Sequence, residues 1–248
     1  MRQENDLIDF IPPMGPTAII KIIGVGGGGD NMANRIFQRG IADAMFIVCD
    51  THNWELQQSP VPIKIPLDPE ITYGMGSSGY PGLAREAALK SRSSIKKILR
   101  TNTKMVFFTA SMGSGTGTGA APVLAKVAKG MGILTIGVIT TPFVFEGKEK
   151  MALALAGVHV MAKQVDALLI INNEKFRSIY PDLDMPETCA KVDDMAANTV
   201  KDIAEIITVQ GHTCNDFADV YAVMENSGLT IMWTEYAEGE NKHCFIIN

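Results

Sequence analysis

The stretch Gly113-Ser114-Gly115-Thr116-Gly117-Thr118-Gly119 lies between the apolar run Met105-Val106-Phe107-Phe108 and a helical segment that opens at Ala120. A buried strand that runs into alternating glycines and small hydroxyl residues, then into a helix, is an arrangement for holding phosphates. Without Cβ atoms the backbone approaches an anion closely, and successive N–H groups converge on it. The helix directs the positive end of its dipole at the same point. The common phosphate loop of nucleotide hydrolases needs Gly-Lys followed by Ser or Thr at the helix start. Here the first lysine after the loop is Lys126, well inside the helix. Backbone groups and hydroxyls would therefore carry the phosphates.

A second loop, Gly24-Val25-Gly26-Gly27-Gly28-Gly29, also stands between strand and helix, and Asp50 closes the next strand 21 residues after Gly29. That pattern is the fingerprint of a dinucleotide-binding domain, in which the acid holds a ribose hydroxyl. An NAD-dependent Rossmann oxidoreductase is thus the rival class. Two glycine loops at the ends of two strands suit a triphosphate gripped from two sides better than a single pyrophosphate.

Composition narrows the field. The chain has 248 residues, 46% of them hydrophobic, enough for one large α/β domain or one domain with a smaller companion. A net charge of −5 without a basic stretch argues against nucleic acid as a partner. No apolar run reaches membrane-spanning length, and Met1-Arg2-Gln3-Glu4-Asn5-Asp6 does not resemble a secretory leader, so direct membrane insertion is not expected. Cys49, Cys189, Cys214 and Cys244 are widely spaced, reading as reduced thiols and neither a disulfide framework nor a metal site. A cytoplasmic protein is expected.

Residues 1–16, with acids, amides and three prolines, read as a flexible arm. From Ala18 strand and helix signals alternate, which implies a Rossmann-like, mostly parallel sheet covered on both faces. Strands are expected at Ala18–Val25, Ala44–Cys49, Met105–Thr109, Ile133–Ile139 and Ala167–Ile171, with helices opening near Asn31, Gly82, Ala120 and Gly147. Helical spacing of Val192, Met195, Ala196, Thr199, Val200, Ile203, Ile206 and Ile207 predicts a long helix over Lys191–Thr208. A loop at Gln210–Asn215, a short helix from Asp216 and a strand-like Leu229–Thr234 follow.

The loop at 113–119 resembles that of the tubulin/FtsZ family, Gly-Gly-Gly-Thr-Gly-Thr/Ser-Gly, and most of the chain lines up with the bacterial, polymerising branch of that family. The resemblance implies a GTP-binding domain over 17–190, a central helix over 191–209, and a shortened second α+β domain with a synergy loop over 210–248. It implies GTP or GDP held by Gly27, Gly28, Gly29, Asp30 and Asn31 from the first loop, and by Gly113, Ser114, Gly115, Thr116, Gly117 and Thr118 from the second. Mg²⁺ would be held through the phosphates. Gly74-Met75-Gly76-Ser77-Ser78-Gly79 resembles the family's terminal-phosphate loop, and Asp50-Thr51-His52-Asn53 its Asn-Thr-Asp-Ala segment.

Thr141-Pro142-Phe143-Val144-Phe145-Glu146-Gly147 matches Pro-Phe-x-Phe-Glu-Gly, giving Glu146 a ribose-binding role and Lys150 the place of an arginine. Read alone, Glu146 is a first-turn acid beside a helix dipole. Asn173, in Asn172-Asn173-Glu174, takes the base and ribose side. Asp193 matches the family's residue at the guanine edge, so the resemblance implies that its carboxylate accepts two N–H donors that adenine does not offer.

Departures cluster at the nucleotide positions. Asp30 replaces a glycine, Asp50 an asparagine, His52 an aspartate, Ser114 a glycine, Cys189 a base-stacking phenylalanine, and Cys214 an asparagine. A carboxylate about 5 Å from a phosphate charge, at an effective dielectric of about 20, costs about 3 kcal/mol per charge pair.

Asp216-Phe217-Ala218-Asp219-Val220 resembles the end of the synergy loop, which enters the nucleotide site of the next subunit. Asp216 and Asp219, three apart and on one helical face, are thereby the expected catalytic acids. The resemblance implies a head-to-tail filament, or joining to a full-length relative, at the site of cell division. A catalytically degenerate paralogue or fragment is the alternative.

Overall fold

The computed structural model describes residues 18–208 and 217–230. The expected arm, the Gln210–Asn215 loop, Asp216, Cys214 and the end of the last strand-like segment lie outside the described residues.

Seven strands form one sheet in the order β3-β2-β1-β4-β5-β6-β7. They are β1 (Ile20–Val25), β2 (Ala44–Asp50), β3 (Ile63–Pro66), β4 (Met105–Ser111), β5 (Leu134–Thr141), β6 (Ala167–Asn172) and β7 (Gly228–Leu229). Every neighbouring pair is parallel, with Val25 level with Cys49 on one side and Ala110 on the other. Buried on both faces, the central strands read as unbroken apolar runs. The fold class expected from the sequence is the one observed. β3 completes the edge beyond β2, a strand the expectation did not include.

The helices are α1 (Gly26–Arg39), α2 (Asn53–Gln58), α3 (Pro69–Thr72), α4 (Pro81–Lys90), α5 (Arg92–Leu99), α6 (Gly115–Lys129), α7 (Lys148–Ala162), α8 (Asn173–Ile179), α9 (Met185–Thr208) and α10 (Phe217–Met224). Two apolar clusters divide them by sheet face. One packs Ala84, Ala87, Ile95, Leu124 and Met161 against Ile23, Phe108 and Ile139; the other packs Met32, Ile36, Val200, Ile203 and Val220 against Ile22, Phe107 and Val138. Alternate residues of each strand feed opposite faces. Lys21 is fully buried on the first face, where its ammonium donates to the Ile98 and Thr101 carbonyls at the end of α5. Burial lowers its pKa to about 8.

Three helices begin earlier than the sequence suggests. α1 opens at Gly26 and not Asn31, α6 at Gly115 and not Ala120, and α9 at Met185 and not Lys191. In the first two the glycines are the first helical turn, where their high cost in a helix interior is not met. Gly26 has φ +73°, a turn only glycine makes readily, and a Cβ there would lie 2.9 Å from Thr116 Cβ.

Close packing between α4 and α6 rests on another glycine. A Cβ on Gly119 would stand 2.1 Å from the Pro81 carbonyl oxygen. Gly119→Ala is expected to destabilise the fold by about 3 kcal/mol through overpacking. Urea unfolding measures it; an unchanged midpoint would mean the two helices part without cost.

Candidate functional site

The strand order reverses between β1 and β4, and open parallel sheets bind ligands at the carboxyl ends of strands beside such a reversal. Both glycine loops leave the sheet there. Gly26 lies against Thr116 and Gly117, so the amino-terminal turns of α1 and α6 meet. Thr109 donates its hydroxyl to Gly29 O at 2.8 Å, pinning α1 to β4. Gly27 and Gly28 are half-buried, Gly29 and Asp30 buried, and Asn31 exposed on α1.

The third loop closes on the same point. Thr116 Oγ1 lies 2.7 Å from Thr51 Oγ1 and 3.3 Å from Ser77 Oγ. A Cβ on Gly115 would fall 2.2 Å from Ser77 Oγ. Thr51, Ser77 and Thr116 thus bring the ends of β2, the 74–79 loop and α6 into one hydroxyl cluster. Ser114 is the N-cap of α6: its Oγ accepts from Gly117 N at 3.1 Å and donates to Ser111 O at 2.8 Å. Thr118 Oγ1 accepts from Gly113 N at 2.9 Å. All six second-loop residues expected at the phosphates are therefore gathered in one turn.

Across the carboxyl edge of the sheet lies a second group of polar residues. Glu146 closes a short 3₁₀ turn at Val144–Glu146, where its Oε1 accepts from Phe143 N at 2.8 Å and its Oε2 pairs with the Lys150 ammonium. It is thus outside the helix whose first turn it was expected to occupy; α7 starts at Lys148. Asn173 opens α8, and its Oδ1 is buried without a hydrogen-bond partner.

Asp193 lies in the third turn of α9, not at its start. Burial, then the neighbouring Asp194 charge, raise its pKa to about 7, against the pull of Arg35. Asp194 holds a bidentate contact with Arg35, at 2.6 and 3.0 Å, and also meets Arg39. This clamp ties α1 to α9. The sequence reading missed it, although Arg35 and Arg39 stand four apart on one helical face.

Residues 19–181 match the tubulin/FtsZ family GTPase domain. The chain belongs to the tubulin/FtsZ family. It is 45% identical to a protein named cell division protein FtsZ from Porphyromonas gingivalis over 96% of this chain and 53% of that protein. An Azotobacter vinelandii protein of the same name is 42% identical over 96% of this chain and 59% of its own length. The chain thus spans between half and three fifths of these relatives. An empty dimer of FtsZ from M. jannaschii superposes with TM-score 0.81 at 36% identity, over 92% of this chain and 66% of that one. CetZ2 from Haloferax volcanii shares the fold, with TM-score 0.74 and 23% identity.

Where this chain departs from the tubulin/FtsZ pattern, the structure gives each departure a setting. Asp50 is buried and accepts from Thr51 N and His52 N at 2.6 and 3.1 Å, which takes it away from the ribose role of the oxidoreductase reading. His52 caps α2, its Nδ1 accepting from Glu55 N. Asp30 does not stand in the open at the end of the first glycine loop. It is packed between α1 and β1, with Oδ1 2.9 Å from where Gly24 would carry a Cβ. Cys189 is exposed, and burial, then the charges of Asp193 and Glu146, raise its pKa, which sets all three in one neighbourhood.

Of the two acids expected to catalyse, the one among the described residues stands elsewhere. Asp219 is exposed in the first turn of α10, and Asp216 lies outside the described residues. α10 leads into β7, whose Gly228 pairs with Ala167 at the first residue of β6. The glycine loops sit at the opposite, carboxyl edge of the sheet. α9 connects the two ends over 24 residues, about 36 Å.

Proposed function

We propose that this chain binds GTP across the two glycine loops and hydrolyses it when another copy supplies Asp216 and Asp219. The observation that carries this reading is the meeting of the α1 and α6 amino-terminal turns with the 74–79 loop on Thr116. Two helix N-termini with a lining of hydroxyls suit a polyphosphate. Gly27, Gly28, Gly29 and Asn31 would line one side of it, and Gly113 through Thr118 the other. Glu146, Lys150 and Asn173 would take the ribose side, and Asp193 the guanine edge.

Among the described residues no group of three or more His, Cys, Asp or Glu is placed to hold a metal. Mg²⁺ would be held through phosphate oxygens, where it would offset their charge.

Hydrolysis in trans is favoured by distance: Asp219 and the glycine loops stand at opposite edges of the sheet. Around the third loop Trp54, Tyr73, Met75 and Tyr80 are 68–82% exposed, an apolar rim suited to cover by another molecule. The partner is a second copy joined head to tail, or a full-length relative. Among the described residues no helix is long and apolar enough to cross a membrane. A cytoplasmic role at the division site is the reading the FtsZ-named relatives support.

Phosphate release from GTP, followed across protein concentration, tests the proposal. Release per subunit is expected to switch on above a threshold. No release at any concentration favours the degenerate relative, a reading supported by the buried Asp30–Asp50 pair and by Cys189 in place of a stacking ring.

Asp193 gives the site a pH signature. In the unliganded protein it holds its proton up to about pH 7. Accepting two guanine N–H groups requires the carboxylate, so binding expels that proton. Nucleotide affinity is expected to rise with pH by about tenfold per unit below the Asp193 pKa and to level off above it. Asp193→Asn should weaken binding and flatten that limb. Calorimetric titration with GDP measures both, and an unchanged slope in the variant removes Asp193 from the base site.

A further inference from the structure

Beneath the first glycine loop lie two acids that the proposed chemistry does not use. Asp30 and Asp50 are 5% and 2% exposed. Both carboxyl oxygens of Asp30, and Oδ2 of Asp50, are buried without a hydrogen bond of good geometry, the Cys49 backbone N–H being the one donor near enough to Asp30 to pull weakly against its raised pKa. The other Asp50 oxygen holds Thr51 N and His52 N. Through that turn Asp50 sets Thr51, whose hydroxyl meets Thr116 in the phosphate loop.

Few groups stand ready to neutralise two charges here. Glu55 of α2 reaches over Gly27, with Oε2 2.9 Å from where a Cβ would sit, and adds a third acid. Cys49 is buried on β2 beside the pair, and His52 opposes the Asp50 charge from the α2 cap. The lysine of β1, Lys21, is bonded to Ile98 and Thr101 near the end of α5, and the arginines of α1 face Asp194 on α9. β4 carries no titratable residue, and the lysines of α6 are in its last turn.

We propose that Asp30 and Asp50 act as one proton-holding pair that positions the phosphate loop, so that nucleotide binding is linked to proton uptake. While the pair holds a proton, Asp50 keeps Thr51 against Thr116; when both acids ionise, their repulsion loosens that contact. Burial, and next the Asp50 charge, push Asp30 well above the usual carboxylate range, and burial also raises Asp50. Phosphate charge arriving at the loop above disfavours ionisation further. Binding therefore takes up a proton wherever the empty site has lost it. The inference rests on the reading that the loops hold GTP or GDP. Asp30 and Asp50 are positioning residues in this scheme.

The test is GDP binding by calorimetry from about pH 7 to about pH 9, in buffers of differing ionisation enthalpy, for the wild-type chain and Asp30→Asn. Wild-type affinity is expected to fall with pH, approaching tenfold per unit once the pair ionises, with net proton uptake. The neutral isostere should bind with a flatter profile and lose that uptake. The Asp193 limb has the opposite sign and levels off near the lower end of this range in both proteins. A difference infrared spectrum of the nucleotide-free proteins, taken above the Asp193 titration, should show a protonated carboxyl band that Asp30→Asn removes.

Equal pH slopes in the two proteins, or no such band, overturn the proposal. So does stabilisation of the nucleotide-free wild type, and not the variant, by Mn²⁺ or Mg²⁺, which would make the pair a cation site. If GDP binds neither protein at any pH, the nucleotide reading itself fails, and the infrared band alone decides whether the pair holds a proton.

Discussion

Valine in place of Gly117 is expected to lower GTP affinity by about a thousandfold or more. A Cβ at this position would stand 2.4 Å from the Ser111 carbonyl oxygen and 2.8 Å from Ser114 Oγ. Those two atoms are already bonded to each other, and Ser114 Oγ also caps Gly117 N. The side chain cannot be accommodated by a rotamer change, because the nearer obstacle is backbone at the end of β4. Relief requires the first turn of α6 to swing away from the strand, taking its N–H groups out of register with a bound phosphate. Hydrogen bonds to a charged group contribute about 1.5–3 kcal/mol each, so losing two is enough for the expected effect. Gly82→Ala is the matched control. That helical glycine has nothing within 4 Å of a built Cβ, so binding and stability should hold or improve slightly. Calorimetry with GDP and a urea unfolding curve are needed for each variant. Unchanged affinity in Gly117→Val would remove the second glycine loop from the nucleotide site.

Asp219→Ala should leave GTP binding intact and reduce phosphate release by about a hundredfold or more, the usual contribution of a positioned acid or base. The side chain is exposed on α10, while Val220 and Met224 on the same helix are buried against α9. Truncating Asp219 leaves those two apolar contacts in place, and a urea unfolding curve reads whatever its own interactions contribute to stability. Binding and turnover separate in this way when the acid acts on the reacting groups and does not hold the nucleotide, and the concentration dependence of release then tells whether it acts on another copy. Loss of binding in the variant would assign Asp219 a structural role. Unchanged release would end its candidacy as a catalytic group.

The fold was legible where the sequence is most apolar. β1, β2, β4, β5 and β6 are runs that only a doubly covered parallel sheet can bury, and the two glycine loops marked its carboxyl edge. What was lost was short, polar or unusual in chemistry. β3 is four residues containing Lys64 and a proline, and α2 and α3 have no apolar stripe. The start of α9 was nevertheless written in the chain. Asp184 accepts from Glu187 N while Glu187 accepts from Asp184 N, a reciprocal cap with Pro186 in the first turn. Reading that signal would have moved Asp193 from the helix start into its body, where burial gives it an unusual proton affinity. Asp30 was less legible for a different reason. Its place in the loop sets it next to the expected phosphate position, whereas helical geometry turns the side chain into the interior. Ser114, a departure from the family pattern, turned out to cap the very helix it introduces.

The placement of α10 at the edge of the sheet opposite the glycine loops has an arithmetic consequence. Joining two copies through one such pair of faces would leave one face of each kind unused, so the contact would be heterologous, and where its rotation does not close a ring it extends as an open row. A row of n copies then contains n − 1 completed sites. A dimer would work at half the per-subunit rate of a long row, and a tetramer at three quarters. The dependence of rate on row length is thus a count of ends, legible without any change in the chemistry at each junction.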